Sequence, residues 1–187
     1  MNKLNENWST TLSSRLTPIQ RDWLQRPGSL TKHLCELGPF GLEVIEEGHY
    51  PAGQEDASAL HVDVGTPLWV RTVVMSVDGI PVVPARSATT LAASQHEWNA
   101  ARHQHDHPLG QILYCDPHIT RSPFSWIELL PPPASRRSLL AEVVFNHPGI
   151  PPKTTPIWAR RSVFHRQGAP LLIAEAFCDA FWKRVSQ

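Results

Sequence analysis

The pattern of apolar and polar positions predicts two helices in the first part of the chain. A Thr-Pro pair at 17–18 suits a helix start, with proline in the first helical position, and this helix ends before a Pro-Gly dipeptide. Ser29 can cap a second helix, which has an apolar residue every three to four positions over 30–37 and ends at Gly38. This part of the chain is therefore predicted to be a pair of short amphipathic helices.

Apolar, β-branched runs later in the sequence predict strands joined by tight turns. We expect a strand at 42–50, a first hairpin at about 68–88, a strand at 122–130 and a second hairpin at 157–177. A short helix with a proline near its start is predicted at 107–115. Helices followed by hairpins, without regular alternation of strand and helix, indicate the α+β class with an antiparallel sheet.

A proline-rich stretch at 131–156 differs in composition from the rest of the chain. Seven prolines in it bracket a predicted helix at 135–145. We expect this stretch to be an insertion packed on the outside of a single domain that spans 1–187. A lid over a binding site is the alternative.

The predicted pairing in the first hairpin places two positive charges opposite each other. Asp78-Gly79 lies between two apolar runs, which predicts a two-residue type I′ turn. In a regular ladder from this turn, Arg71 lies directly opposite Arg86 on a mostly apolar face. Two like charges facing each other repel, and burial removes their water. Two prolines in the second arm each remove a ladder donor, so this arm must be an edge strand or contain a bulge.

The second hairpin brings opposite charges together. A two-residue turn at Gln167-Gly168 places Arg160 opposite Glu175, again among large apolar side chains. Arg161 then points to the other face. This pair has two interpretations: a structural ion pair, or a half-buried carboxyl group that acts as a general acid or base.

Together the two hairpins indicate a binding site for an anion. Facing arginines need an anion between them, and a bound dicarboxylate or phosphate is a suitable partner because the guanidinium fork matches a carboxylate. An anion clamp beside Glu175, with no metal and no nucleophile, indicates proton-transfer chemistry on a small acidic molecule.

Composition narrows the possible partners. The chain has 187 residues, 41% of them hydrophobic, and its seventeen basic and seventeen acidic residues cancel. No global field therefore attracts nucleic acid or an anionic membrane. The N-terminal segment has no apolar signal region, and no run approaches the roughly 18 apolar residues of a membrane span. We expect a cytoplasmic monomer without an integral membrane segment.

Cysteine and histidine usage predicts no metal site. The three cysteines have no CxxC spacing, so we expect no disulfide framework and no zinc site, and we predict that all three are buried. The histidine-rich run at 103–107 lies in a polar stretch with no distant ligand indicated, and we interpret it as a solvated loop.

Four segments together resemble the signatures of one known family. In chain order they are "RDWLQRPGSLTKHL", "WVRTVVMSVDGIPVVPARS", "HPLGQIL" and "WARRSVFHRQGAPLLIAEAF". This combination resembles chorismate lyase and spans most of the chain outside 131–156. The resemblance implies a single antiparallel sheet flanked by helices, with an internal ligand pocket sealed from solvent. It also implies conversion of chorismate to 4-hydroxybenzoate and pyruvate without a cofactor, the first committed step of ubiquinone biosynthesis.

The resemblance also implies site residues. Arg71 resembles the family's carboxylate-binding arginine, and Glu175 its acidic residue near the ring hydroxyl. Leu30 and Leu109 match positions whose backbone contacts the ligand, and Arg86 matches a second arginine of the active-site region. As a hypothesis, the two arginines hold the two carboxylates of chorismate, in an order left open, while Glu175 handles the proton.

The chain departs from the family pattern at two places. The family continues with Phe-Leu-Pro after its glutamate, whereas this chain has Phe-Cys-Asp at 177–179, and the stretch at 131–156 is longer. An effector domain of similar fold, which binds a small acid without turnover, is the alternative function. Regulators of that kind carry a winged-helix region before this domain, and here only about fifteen residues precede the first predicted helix, so we expect an enzyme.

Overall fold

The computed structural model of the protein describes residues 8–104, 107–131, 139–151 and 155–186. The helices are α1 (Pro18–Gln25), α2 (Leu30–Leu37), α3 (Gln54–Leu60), α4 (Leu91–Gln95), α5 (Asn99–Arg102), α6 (Gly110–Cys115), α7 (Leu139–Asn146) and α8 (Asp179–Val185). The strands are β1 (Phe40–Pro51), β2 (Pro67–Val77), β3 (Ile80–Thr90), β4 (Ile119–Arg121), β5 (Ser125–Leu129), β6 (Ile157–Arg166) and β7 (Ala169–Ala176).

Within the described residues, seven strands form one antiparallel sheet. The strand order is β1-β2-β3-β7-β6-β4, and β5 pairs with the first half of β6 while β4 pairs with its second half. Helices cover both faces of the sheet. The predicted fold, a single antiparallel sheet flanked by helices, is therefore confirmed.

The first two helices begin where their capping residues predict. Thr17 and Gln20 form a reciprocal capping box at the start of α1, with proline in the first turn. The Ser29 side chain accepts a hydrogen bond from the Lys32 amide at the start of α2, and Gly38 follows its last residue. Local sequence thus determines the position of α2, whose first residues reach the candidate site described below.

Both hairpins close with the predicted two-residue turns, and the first has the predicted type I′ geometry. Asp78 and Gly79 have φ of 51° and 74°, and Gln167 and Gly168 have φ of 51° and 85°, as a type I′ turn requires. The second hairpin has no register shift, so Arg160 lies opposite Glu175 as predicted.

The first hairpin contains a β-bulge, which the prediction of a regular ladder did not include. Ser76 pairs with Pro81, but Met75 pairs with Val83, which leaves Val82 as one extra residue on β3. Proline cannot donate to the ladder, so an interruption beside Pro81 is expected on physical grounds. The bulge lies beyond the end of the β3–β7 pairing, where β3 has no second strand neighbour among the described residues.

The bulge makes the predicted pairing of the two arginines wrong. Arg71 lies opposite Ser87, and Arg86 lies opposite Thr72. Because side chains alternate between faces, a one-residue shift sends Arg86 to the other side of the sheet. We call the side that carries Arg71 and Glu175 the front face, and the side that carries Arg86 the back face.

Each face has its own apolar core. On the front face, one cluster lies under α1, α2 and α8, and a second lies under α4, α5 and α6. On the back face, α3 and α7 each cover a separate cluster. The gap between the two front clusters is where the candidate site lies.

The proline-rich stretch contributes a helix to the back face. Leu140, Ala141 and Val144 of α7 are buried against β5, β6 and β7, on the side of the sheet opposite the candidate site. The predicted helix at 135–145 is described only from Leu139 onward, and residues 132–138 and 152–154 lie outside the described residues.

Smaller expectations have mixed outcomes. Cys178 is buried, but Cys35 and Cys115 are exposed, so the prediction that all three cysteines are buried is wrong. Of the histidine-rich run, residues 105 and 106 lie outside the described residues. Across the described ranges, no cluster of three or more possible metal ligands is present, and no helix is both long and apolar enough to span a bilayer.

Candidate active site

A pocket opens on the front face between the two apolar clusters. Its lining residues surround about 630 Å³ of space not filled by protein atoms, part of which is open to solvent, so the pocket is not fully sealed. Its apolar wall includes Leu42, Val73, Met75, Leu113, Phe164 and Ile173. Its polar wall includes Arg71, Tyr114, Arg121, Arg160, Ser162 and Glu175.

Arg71 is a buried cation in the middle of β2, with 2% of its surface exposed. Its Nη2 donates to the His107 carbonyl at 3.2 Å, and its Nε lies 3.8 Å from Oε2 of Glu47 on the adjacent strand β1. Glu47 is itself fixed, because its Oε1 accepts a hydrogen bond from Nε1 of Trp69 at 3.2 Å. These contacts orient the guanidinium toward the pocket and offset part of the cost of its burial.

Glu175 is held by a fixed arginine. Nε of Arg160 donates to Oε2 of Glu175 at 2.7 Å. Nη1 of Arg160 donates to the carbonyls of Trp23 at 3.0 Å and Arg26 at 3.1 Å, which ties the sheet to the end of α1. Oε1 of Glu175 accepts no hydrogen bond from the residues that the structure describes, and the side chain lines the pocket. One carboxylate oxygen is thus anchored while the other is available to a ligand.

The two leucines of the predicted site also line the pocket. Leu30 is the first residue of α2, and Leu109 immediately precedes α6. Amide groups at the start of a helix have no partner within that helix, so both positions present backbone donors. The two helix starts meet here, because Gly110 packs against Ser29 so closely that a Cβ on Gly110 would lie 2.4 Å from its Oγ.

A second polar group, made of Arg121 and Tyr114, lies in the pocket wall. Nη1 of Arg121 donates to Oη of Tyr114 at 3.2 Å, and the guanidinium stacks on the Phe124 ring at 4.1 Å. Burial of the Tyr114 ring raises the pKa of its hydroxyl, which the Arg121 charge opposes in part. The hydroxyl is therefore protonated at neutral pH and can donate a hydrogen bond.

The geometry fits recognition of a small carboxylic acid, and comparison of sequences gives the family. The family model described as chorismate lyase matches residues 4–187. The chain belongs to the chorismate lyase family. The recognition made from four short segments is thus confirmed, and the chain is a member of an enzyme family.

Relatives of this chorismate lyase family member cover nearly its full length. A "Probable chorismate pyruvate-lyase" of Bordetella avium (strain 197N) is 45% identical over 183 residues, 98% of this chain and 88% of the relative. A protein of the same name from Bordetella pertussis is 40% identical over 181 residues, 96% of this chain and 92% of the relative. A "Probable chorismate pyruvate-lyase 1" of Pseudomonas fluorescens (strain Pf0-1) is 40% identical over 178 residues, 95% and 92% of the two chains.

Solved structures of similar shape are effector domains of regulators. The effector domain of PhnF from Mycobacterium smegmatis has a TM-score of 0.53 at 17% identity and covers 82% of this chain and 90% of its own. The C-terminal domain of the histidine utilization repressor from Pseudomonas syringae pv. tomato also has a TM-score of 0.53, at 14% identity, with 76% and 93% covered. At these identities the likeness shows a shared fold and nothing further.

Arg86 of this family member lies on the back face and does not line the pocket. Its Nη1 and Nη2 donate to both carboxylate oxygens of Asp56 on α3, at 2.7 and 2.8 Å, and both side chains are buried. The expectation that Arg86 holds a ligand carboxylate beside Arg71 therefore does not agree with its position. A bidentate pair of this kind fixes α3 on the sheet.

The pair belongs to a larger charged cluster behind the sheet. Nη1 of Arg161 lies 3.6 Å from Oε1 of Glu55, and Nε1 of Trp8 donates to the same oxygen at 2.6 Å. Arg161 points to the back face, as strand alternation predicted. Burial raises the pKa of Glu55 and lowers the pKa of Arg161, which is the expected cost of placing charges under a helix.

We expect Arg86→Ala to lower the free energy of unfolding by about 3–5 kcal/mol, because it leaves the Asp56 carboxylate buried without its partner. Urea denaturation measures this loss. The double variant Arg86→Met with Asp56→Leu is the control, and it should recover most of the loss because no charge stays buried. Full stability of Arg86→Ala together with lost ligand binding would contradict the structural role.

Three residues of the site were missed at the level of sequence. Glu47 lies in a strand that was predicted, but its pairing partner depends on a bulge in β1 between Val44 and Glu46. Arg121 lies in β4, a strand of three residues, which is too short to show a period. Tyr114 lies in the predicted helix at 107–115, and no sequence signal indicates which face of that helix lines the pocket.

Proposed function

We propose that this chain converts chorismate to 4-hydroxybenzoate and pyruvate, the first committed step of ubiquinone biosynthesis, by elimination and aromatisation without a cofactor. The observation that carries the proposal is the presence of Arg71 and Glu175 in one pocket with an apolar wall. Membership of the chorismate lyase family and the names of the relatives support the same reaction. Within this proposal the enzyme is a cytoplasmic monomer.

In the proposed complex the ring of chorismate lies along the apolar wall. Arg71 binds the ring carboxylate, because it is a buried cation of the pocket whose guanidinium fork suits a carboxylate, whereas the equally buried Arg160 is already paired with Glu175. The amides of Leu30 and Leu109 add backbone donors. These contacts hold the ring in one orientation, so that the C4 hydrogen and the C3 ether lie near Glu175.

The chemistry needs one proton transfer and one departing group. Glu175 takes the proton from C4, the electrons of that C–H bond form the new ring double bond, and the C3–O bond breaks. The ring becomes 4-hydroxybenzoate, and enolpyruvate leaves and gains a proton to become pyruvate. Aromatisation supplies most of the driving force, so the protein has to position the ring, move the proton and stabilise the departing enolate. Arg160 positions Glu175 for this step through the bond to Oε2.

Mixing the purified protein with chorismate tests the proposal. We expect 4-hydroxybenzoate to appear in the absorbance spectrum, and pyruvate to appear in equal amount in a coupled lactate dehydrogenase assay. Addition of a chelator should leave the rate unchanged, because the proposed reaction uses no metal. Binding of chorismate without either product would reject the reaction and favour an effector-like binding domain.

A further inference from the structure

We propose that Arg121 and Tyr114 bind the second carboxylate of the substrate, the one that leaves with pyruvate. This inference rests on the proposed function. It assigns roles to two residues that the resemblance to the family did not supply, and it replaces Arg86 as the partner of the second carboxylate.

The contacts of the arginines in the pocket indicate which of them can bind the second carboxylate. Three arginines line the pocket: Arg71, Arg121 and Arg160. Arg160 is occupied by Glu175 and by two backbone carbonyls, and Arg71 contacts Glu47 and the His107 carbonyl. Arg121 pairs with no carboxylate in the part of the chain that the structure describes. A ligand with two carboxylates can therefore be neutralised by Arg71 and Arg121 together.

The side chain of Arg121 is oriented for such a contact. Stacking on Phe124 at 4.1 Å restricts the plane of its guanidinium, and the bond to Tyr114 fixes its Nη1 edge. The Tyr114 ring is held in turn by an edge contact with Phe164, at 5.9 Å between centroids. Because Oη of Tyr114 accepts from Arg121, its own proton is available to a ligand. Two donor groups therefore lie side by side in the pocket wall.

The two cationic groups stand on opposite sides of the pocket. Arg71 lies on β2 and Arg121 on β4, with β3, β7 and β6 between them. Four strand spacings of about 4.8 Å separate their backbones by roughly 19 Å, a span that two long side chains and one ring with two carboxylates can bridge. A ligand with a single carboxylate can engage one of the two groups at a time.

The difference in solvent exposure between Arg71 and Tyr114 indicates which carboxylate of the substrate binds to which group. Arg71 is 2% exposed, whereas Tyr114 is 43% exposed, so the Tyr114 side of the pocket is the more accessible to solvent. The fragment that departs after bond cleavage leaves most directly from the open side. Arg121 therefore faces the enolpyruvyl carboxylate, while Arg71 keeps the ring carboxylate that substrate and product share. Loss of pyruvate then removes the contacts to Arg121, while the contact of Arg71 with the ring carboxylate stays.

The test compares two ligands on one variant. Arg121→Gln should raise KM for chorismate about 10-fold to 100-fold, the effect of losing a charge-assisted hydrogen bond, and leave kcat within about threefold. The dissociation constant of 4-hydroxybenzoate, measured by calorimetry, should change less than about twofold. Tyr114→Phe should act in the same direction with a smaller effect. Arg15→Gln is the matched control, because Arg15 is an exposed surface arginine paired with Glu128.

Several outcomes would overturn the inference. Equal weakening of chorismate and 4-hydroxybenzoate would show that Arg121 does not distinguish the two ligands, and unchanged KM would show that it binds neither. Circular dichroism and the variant Arg121→Lys, which keeps the charge, exclude a folding defect as the cause. Wild-type protein without turnover would instead reject the proposed function. The ratio of the two dissociation constants, measured by calorimetry, would still test Arg121 in that case.

Discussion

Replacement of Glu175 by glutamine is expected to lower kcat by about 100-fold to 10,000-fold, the contribution of a positioned general acid or base. The amide has nearly the same shape and can still accept the bond from Nε of Arg160, so the pocket should keep its form. It cannot take a proton from C4. Binding of 4-hydroxybenzoate should therefore change far less than turnover, and calorimetry beside steady-state kinetics measures both quantities.

The control for this variant is Glu36→Gln, which removes an equally sized carboxylate from the exposed face of α2, where 61% of the side chain is accessible. It should leave both constants unchanged. Undiminished kcat in Glu175→Gln would remove the proton-transfer role. In that case the Arg160–Glu175 pair would be structural, which is the interpretation that its hairpin register alone favours.

Replacement of Arg71 by alanine is expected to lower kcat/KM at least about 100-fold and to abolish measurable binding of 4-hydroxybenzoate, because a buried charged hydrogen-bonding partner contributes about 2–5 kcal/mol. The ring carboxylate is common to substrate and product, so both ligands should lose affinity together. This distinguishes Arg71 from Arg121, whose loss should affect chorismate alone.

Arg71→Lys provides the comparison that isolates geometry from charge. Lysine keeps the positive charge but has no planar fork, so we expect it to recover only part of the lost affinity. Circular dichroism and urea denaturation show whether either variant is folded. A folded Arg71→Ala protein that binds 4-hydroxybenzoate as tightly as the wild type would reject the assigned contact.

The two hairpins differ in how much of their residue pairing could be predicted from local sequence. Both two-residue turns form where the sequence predicts them, and the residues of both have positive φ. The second ladder continues without interruption, and Arg160 meets Glu175. In the first ladder, Val82 is an extra residue on β3 that has no partner in the pairing with β2. The prolines predicted a bulge or an edge, but the bulged residue is fixed by a contact distant in sequence, the hydrogen bond from the Cys178 amide to the Val82 carbonyl, which no short window contains.

The partners of the buried arginines could not be identified from neighbouring sequence. Asp56 is 30 residues before Arg86, in helix α3, which the pattern of the sequence did not predict. Glu47 is 24 residues before Arg71, and it faces that residue only because β1 carries a bulge of its own. The sequence predicted a bound anion between the two arginines, whereas the folded chain places a carboxylate of its own beside each of them.

Local chemistry in the sequence by itself determined the helix caps, the two type I′ turns, the pairing of Arg160 with Glu175 and, through four short segments, the chorismate lyase family. These features depend on contacts between residues close in sequence or on recognisable motifs. Only the tertiary structure decided that Arg86 lies behind the sheet and that Arg121 with Tyr114 borders the pocket. Strand alternation has a period of two, so a single bulge exchanges the two faces, and only the packing of distant elements determines where that residue is inserted.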